Sequence, residues 1–336
     1  MKIFVDAMGG DFAPQAPVEG AIEALRRYPG IEVVLAGVIP EIEKYLVDCD
    51  DVRSRIELLD APEVITNEES PVMGVRRKVN SATVKGMLAL RNKEVDGFVS
   101  AGSTGAVLAG GMFRLGRIPG IERPALAPML PNGKGYVLLI DCGANVDCKP
   151  DYLVQFGMMG SAYMQGVMQM DNPRVGLVNI GAEAEKGNAL VKETYPLMET
   201  APYNFVGNVE ARDVMADAAD VLVADGFSGN LILKNTEGVA MALLKIIKGE
   251  MMADTRGKIA GLIGKPAFKR VKKLMDYTEV GGAPLLGVQG AVVKAHGSSN
   301  AHAFSCAIGQ LVKMIDGKVV DIIEKGVESL VTQADA

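Results

Sequence analysis

Six short apolar runs along this chain each stop abruptly in a small or polar turn. "KIFVDAMGGDFAP" passes through Ile3-Phe4-Val5 into Asp6 and Gly9-Gly10, and "VDGFVSAGSTGAVLAGG" through Val99 into Ser103-Thr104-Gly105. "YVLLIDCGANVD" ends on Asp141, "RVGLVNIGAEAEKGN" on Gly181, "VLVADGFSGN" on Asp225-Gly226 and "AVVKAHGSSN" on His296-Gly297. Continuous, largely β-branched strands alternating with helix-like patterns mark a parallel sheet covered on both faces. The spacing therefore predicts an α/β fold, a three-layer α/β/α sandwich with a mostly parallel sheet. In such a sheet the polar turns gather at the carboxyl edge of the strands, where ligands bind. The six units differ too much to be a sequence repeat.

With 336 residues, 49% of them hydrophobic and 23% charged, the chain has ample apolar material for one large core. We expect a single Rossmann-like unit over 1–336. The first residues show no basic leader ahead of an apolar stretch, and no run approaches about 18 apolar residues. The expectation is a cytoplasmic protein without a membrane span. Cys49, Cys142, Cys148 and Cys306 lie scattered with no C-x-x-C and read as reduced thiols.

The turns carry Asp6, Asp11, Ser103, Thr104, Asn145, Asp147, Lys186, Asn188, Asp225, Ser228, Asn230, His296 and Ser298. A glycine after a strand by itself only permits a tight turn. Six such turns bearing these groups point further, to a site. Gly9 and Gly10 read as backbone brought close to a ligand, with Asp6 and Asp11 orienting donors around it. Ser103-Thr104-Gly105, and Gly229 with its neighbours from Gly226 to Asn230, stand where helices should begin. Free N–H groups there favour an anion, although hydroxyls at a helix start are also ordinary caps. Lys186 adds a cation at the same edge.

Absences narrow the chemistry. No G-x-x-x-x-G-K-[ST] and no G-x-G-x-x-G after the first strand occur, which argues against a phosphate loop or a usual dinucleotide site. G-x-S-x-G is absent as well; "GFSGN" lacks its last glycine. His296 and His302 are six residues apart and cannot easily share a metal on a helix. What remains is a polar, anion-accepting site without an evident protein nucleophile. Chemistry in which a bound anion itself attacks would suit it, with no metal and no cofactor.

The stretches "VDAMGGDFAP", "VSAGSTGA", "RPALAPMLP", "DCGANVDCKP", "GNVEARD", "DGFSGN", "GGAPLLGV" and "KAHGSS" together resemble the PlsX-type phosphate acyltransferases of bacterial fatty acid and phospholipid synthesis. The resemblance runs in family order from the first strand to about residue 300. It implies reversible transfer of a long-chain fatty acyl group from acyl carrier protein to inorganic phosphate. The acyl phosphate would pass to a membrane glycerol-3-phosphate acyltransferase. It also implies a fold similar to the phosphotransacetylases and isocitrate dehydrogenases, and a homodimer. On this reading Lys186, Asn230 and His296 take the catalytic roles and the other turn residues bind substrate. Phe12, Ser103 and Cys142 depart from the His, Asn and Val common at those places. Alternatives are a phosphotransacetylase using coenzyme A, an NAD-dependent decarboxylating dehydrogenase, and a non-catalytic carrier- or lipid-binding module.

Residues 245–273 hold nine Lys or Arg against Glu250 and Asp254, a net of +7 in a chain of net −6. Gly264-Lys265-Pro266 is expected to break this segment into a basic helical hairpin, within 240–280, whose apolar tip carries Ile259, Leu262, Ile263 and Phe268. Apolar tip and basic flanks suit an anionic membrane surface or an acidic partner such as acyl carrier protein. With one aromatic and no recognised motif, the segment does not suit nucleic acid. "VRRK", Val75 to Lys78, is a second basic cluster and a rival carrier site.

Overall fold

Strand β1 (Lys2–Asp6) sets the layering. Its side chains alternate, so Ile3 and Val5 join one buried cluster while Phe4 joins another on the opposite face, beside Phe98. The computed structural model describes residues 1–274 and 280–334. After β1 the strands are β2 (Glu32–Gly37), β3 (Ile56–Asp60), β4 (Gly97–Ser100), β5 (Ala125–Leu126), β6 (Met129–Pro131), β7 (Tyr136–Ile140), β8 (Arg174–Asn179), β9 (Asn204–Glu210), β10 (Val221–Val223), β11 (Ala283–Leu286) and β12 (Ala291–Lys294).

They form two sheets, a seven-stranded one in the order β3-β2-β1-β4-β12-β11-β5 and a five-stranded one in the order β6-β7-β10-β8-β9. Pairing is parallel except at β11 in the first sheet and β6 in the second. The expected α/β layering is present, but the six turns do not share one sheet edge. Those after β1, β4 and β12 belong to the first sheet; those after β7, β8 and β10 belong to the second. The sheets are stitched at Leu126, whose N–H donates to Asp141 Oδ1 (2.9 Å) and whose carbonyl accepts from Cys142 N (3.0 Å).

The helices are α1 (Gln15–Arg27), α2 (Ile39–Glu43), α3 (Pro71–Arg77), α4 (Ala82–Arg91), α5 (Thr104–Gly110), α6 (Pro150–Met168), α7 (Ala189–Glu199), α8 (Gly226–Ala253), α9 (Thr255–Leu274), α10 (Ala301–Asp316) and α11 (Val319–Ala334); a π-helical turn, Gly111–Leu115, follows α5. Helices α1 and α10 cover the Ile3–Val5 face of the first sheet, and α4 covers the Phe4 face. Helix α6 covers one face of the second sheet, with α11 outside it.

Helix α8 leaves this body. Its buried residues are Gly226 and Gly229, both in its first turn, and the rest pairs with α9. The hairpin differs from expectation in where it turns. Helix α9 continues through Pro266, because a proline forfeits one backbone bond while packing against α8 holds its neighbours. The reversal falls at Asp254, which leaves helical geometry (φ −135°, ψ 174°) and accepts from Gly257 N at 2.6 Å, ending one helix and capping the next. The tip is thus polar. Ile259, Leu262 and Ile263 form an exposed stripe on the flank of α9, with Leu262 73% and Ile263 76% exposed. Phe268 lines the groove between the helices, and Leu262 borders it. Residues 275–279 of the expected hairpin span lie outside the described residues. Among the described residues no helix is long and apolar enough to cross a membrane.

Candidate active site

In the first sheet the chain steps from β1 outward through β2 to β3 and then crosses back by way of α3 and α4 to β4 on the other side of β1. The strand order thus reverses between β1 and β4, which is where an open α/β sheet forms a crevice. A polar cavity of about 370 Å³ lies there. It is lined by Asp6, Gly9, Gly10 and Asp11 after β1, by 101–104 after β4, by Ser81–Thr83 at the start of α4, by the 63–68 loop, and by Lys294 and Gly297. Close backbone approach builds it. A Cβ at Gly9 would lie 2.6 Å from Gly102 N, and Gly10 has φ +100° with Asp11 N donating to Gly297 O at 2.8 Å.

Asp6 is buried at the cavity floor. Its Oδ2 accepts from Ser100 Oγ (2.8 Å) and Thr83 Oγ1 (3.1 Å), and its Oδ1 accepts from Met8 N (3.1 Å). Burial raises its pKa above the usual carboxylate range, against the pull of those bonds and of Lys294. Lys294 ends β12 and is only 9% exposed. Its ammonium donates to the carbonyls of Ala101 (3.4 Å) and Ala295. Burial brings its pKa down to about 8, while the charges of Asp6 and Asp11 act in the other direction.

A second cavity of about 340 Å³ opens on the far side of Lys294, over the seam between the sheets. Leu126, Pro128, Met129, Leu130, Leu233 and Ala283 give it apolar walls; Thr104, Asn230, Lys234, Glu237, His296 and Lys294 provide its polar groups, with Lys234 paired to Glu237 at 2.8 Å. Thr104 and Lys294 line both cavities. His296 Nδ1 accepts from Ser298 N (3.2 Å) and pairs with Ser298 Oγ (2.8 Å). Its pKa is lowered by burial first and then by Lys234 and Lys294, against the pull of Glu237, so the ring is neutral near pH 7; with Nδ1 accepting from Ser298 N, the proton belongs on Nε2. Burial, then the nearby Asp141 charge, pushes the Cys142 thiol well above its ordinary range, so it offers no thiolate nucleophile.

The structure brings together many of the residues singled out from sequence and sets others elsewhere. Asp6, Gly9, Gly10, Asp11, Ser103 and Thr104 line the polar cavity; Asn230 and His296 line the apolar one. Gly105 instead backs onto Pro71 of α3, where a Cβ would meet Pro71 Cγ at 2.5 Å. Asn145 serves the seam, with its N–H on Asp141 Oδ2 (2.6 Å) and its Nδ2 on Pro124 O (2.8 Å). Asp225 caps α8, accepting from Ser228 N (2.9 Å) and Ser228 Oγ (2.8 Å). Asn188 likewise caps α7 through Val191 N. Gly229 packs on the end of β7. Lys186 and Asp147 are exposed and line neither cavity. Lys294, Thr83 and Ser100 were missed in the sequence. The one available signal was a lysine closing the apolar run "AVVK" immediately before a polar turn.

A protein-family model described as "Fatty acid synthesis protein" matches residues 1–321. Phosphate acyltransferase of Alkaliphilus oremlandii is 52% identical over 98% of this chain and 98% of its own length. That of Clostridium botulinum (strain Loch Maree) is 49% identical over 98% and 99%. Among solved structures, a phosphotransacetylase from Streptococcus pyogenes aligns with a TM-score of 0.61 at 16% identity, covering 96% of this chain and 94% of that one. A branched-chain phosphotransacylase from Enterococcus faecalis gives 0.59 at 10%, covering 94% and 99%. At such identities these structures establish the fold, an α/β architecture of the phosphotransacetylase kind. From the family match over nearly its whole length and from relatives about half identical end to end, this chain belongs to the fatty acid synthesis protein family, that of the phosphate acyltransferases.

Proposed function

We propose that this protein, as one unit over 1–336, reversibly transfers a long-chain fatty acyl group from acyl carrier protein to inorganic phosphate. The acyl phosphate then serves phospholipid synthesis by way of a membrane glycerol-3-phosphate acyltransferase. The observation that carries this reading is the pair of cavities meeting at Lys294 and Thr104, one polar and one apolar. The apolar chamber takes the acyl chain. The polar cavity takes the carrier's amide-bearing arm, which its hydroxyls and backbone groups match and its carboxylates do not repel. The thioester carbonyl then lies at the junction.

Phosphate needs no activation by a protein nucleophile. A phosphate oxygen forms the new C–O bond, the C–S bond breaks, and the proton of hydrogen phosphate ends on the departing thiol. The protein supplies proximity and stabilisation of the oxyanion. The Lys294 ammonium is the charge at the junction; the carbonyls of Ala101 and Ala295 hold it, and the charge of Asp6, itself tied to Ser100, Thr83 and Met8, favours its protonated form. Phosphate sits at the junction against Lys294, where Asn230 and His296 reach it from the wall of the second cavity, and the apolar remainder of that cavity holds the acyl chain. Neither a metal nor a nicotinamide has a step in this scheme.

Incubation with hexadecanoyl-acyl carrier protein and phosphate should give an acyl phosphate that hydroxylamine traps as the hydroxamate. No product above the protein-free control, or product formed equally without phosphate, would overturn the reading.

The hairpin fits a peripheral membrane contact and a homodimer. Its exposed stripe on α9 lies beside Lys258 and Lys265, and α8 exposes Val239, Met241, Leu243 and Ile246. Exposed apolar surface of this extent marks an interface. Burying Leu262 and Ile263 would contribute about 1.5–3 kcal/mol each, and each nearby cation about 1 kcal/mol at an anionic surface. Replacing both by Asp is expected to release the protein from anionic vesicles in flotation, with turnover in solution retained. Continued flotation of the double variant would remove the stripe as the anchor.

A further inference from the structure

Beside the polar cavity lies a second basic region, separate from the hairpin. Residues 70–93 carry Arg76, Arg77, Lys78, Lys85, Arg91 and Lys93 and no acidic residue, in a chain of net charge −6. This segment is α3 and α4, and the π-helical turn packs against it. Arg114 Nη2 donates to Val75 O (2.9 Å) and Arg76 O (3.3 Å), and Arg91 Nη1 donates to Arg114 O (3.4 Å). These bonds hold the Arg114 guanidinium against the main chain at the end of α3, where Arg76 and Arg77 are exposed, and the Arg91 guanidinium against the main chain of Arg114. Among the described residues none of Arg76, Arg77, Arg91 and Arg114 has a carboxylate partner within ion-pair distance. Lys78 is different: it is held by Glu69 (2.6 Å) and the Val64 carbonyl (2.6 Å), which ties α3 to the loop that rims the cavity. Phe113, 60% exposed, with Val72 and Val79, supplies apolar surface beside the charges.

We propose that this face docks the acidic body of the acyl carrier protein, so that its arm enters the polar cavity between the 63–68 loop and the start of α4. The proposal rests on the acyl-carrier reading above and adds where the carrier sits. Position favours this face over the hairpin. Ser81, Ala82 and Thr83 line the cavity and belong to the same segment as the arginines. On the hairpin, Lys245 and Lys248 stand 19 and 22 residues beyond Gly226, about 29 and 33 Å along α8 at 1.5 Å per residue, and Lys258, Lys265 and Lys269 line the same groove from α9. Charge favours it too. A carrier rich in carboxylates is repelled by most of this acidic molecule, and Glu63 and Glu68 at the rim keep its body out of the mouth. A local basic patch then sets orientation and encounter rate. Guanidinium groups without a carboxylate partner, Arg76 and Arg77 above all, suit an acidic surface, and the exposed Phe113 gives it something apolar to cover.

The test pairs binding with kinetics, using Arg76→Glu/Arg77→Glu and the milder Arg76→Ala/Arg77→Ala. Carrier binding, read by fluorescence anisotropy of labelled hexadecanoyl-acyl carrier protein, should weaken at least tenfold in the charge reversal and less in the alanine pair. It should also lose most of its salt dependence. In turnover, the KM for the acyl carrier should rise at least tenfold. The KM for phosphate and the rate with hexadecanoyl-pantetheine, which has the arm without the carrier, should stay within about twofold. Unchanged carrier affinity in both variants would overturn the proposal, as would an equal loss with the pantetheine donor. So would loss of anionic-vesicle binding with carrier affinity intact, or a changed sedimentation coefficient with carrier affinity intact; these would give the face to a membrane or to a second copy of the chain. Wild type that binds the carrier but yields no acyl phosphate would refute the acyltransferase reading and leave the docking result standing.

Discussion

Lys294→Ala is expected to lower kcat/KM for acyl transfer to phosphate by about 10²–10³ while the protein remains folded. Removing one preorganised donor to a developing oxyanion costs about 2.7–4 kcal/mol, and Lys294 is the charged group shared by the two cavities. Folding should survive because the partner left behind can neutralise itself. Asp6 already has a raised pKa from burial, and without the nearby ammonium it takes up a proton and keeps its bonds to Ser100 and Thr83. Activity within threefold of wild type, with an unchanged circular dichroism spectrum, would remove Lys294 from the reacting centre.

The same residue sets a pH dependence. Its pKa, brought down to about 8 by burial, leaves it charged below that value and neutral above it. If the charge is what the transition state needs, the rate falls as pH rises through about 8. Arginine holds its proton throughout this range, so Lys294→Arg, though slower, should lose that falling limb. A limb near pH 8 that persists in the arginine variant would belong to another group.

How far the sequence disclosed this arrangement depended on whether a residue's setting is local. The runs ending at Asp6, Ser100 and Lys294 are apolar and β-branched on both faces, and this alone identifies buried parallel strands. The glycine pair after β1 was legible for the same reason: Gly9 and Gly10 adjoin 101–102 and Gly297 because turns at neighbouring strand ends must meet. Membership of a particular sheet was not legible. Lys186 and Asn188 follow β8, which pairs with β9 and β10 in the second sheet, and nothing in "GAEAEKGNA" says so. Lys294 was hidden by its position as the last residue of a strand, where lysine commonly reaches solvent. Here β12 lies between β4 and β11, and the ammonium stays among backbone carbonyls. Thr83 was out of reach, since it meets Asp6 from a helix 77 positions along the chain. At the hairpin a strong local rule, that proline breaks helices, gave way to packing between α8 and α9 and to the Asp254 cap.

Gly229→Ala should be the most destabilising single methyl added anywhere near the site. A Cβ there would lie 1.9 Å from the Asp141 carbonyl oxygen, so backbone would have to move. Neither side can yield cheaply. Asp141 N donates to Ala224 O (3.0 Å) at the end of the second sheet. The Asp141 carboxylate, fully buried, accepts from Leu126 N, Ala144 N and both nitrogens of Asn145. Moving β7 outward strains the seam between the two sheets. Moving α8 instead breaks its Asp225 cap and draws Asn230 away from the apolar cavity. Overpacking a core costs about 1–3 kcal/mol when side chains can rearrange, and here the obstruction is main chain, so about 3 kcal/mol or more is expected. Gly238→Ala, on the same helix with nothing within 4 Å of its added methyl, provides the comparison. It should be neutral or stabilising by up to about 1 kcal/mol, as alanine is the better helix former. Urea midpoints of the two variants should therefore move in opposite directions or differ widely. A Gly229→Ala protein that unfolds at the wild-type midpoint would mean that α8 is not held against β7, and that the place of Asn230 in the wall of the second cavity is not fixed by this contact.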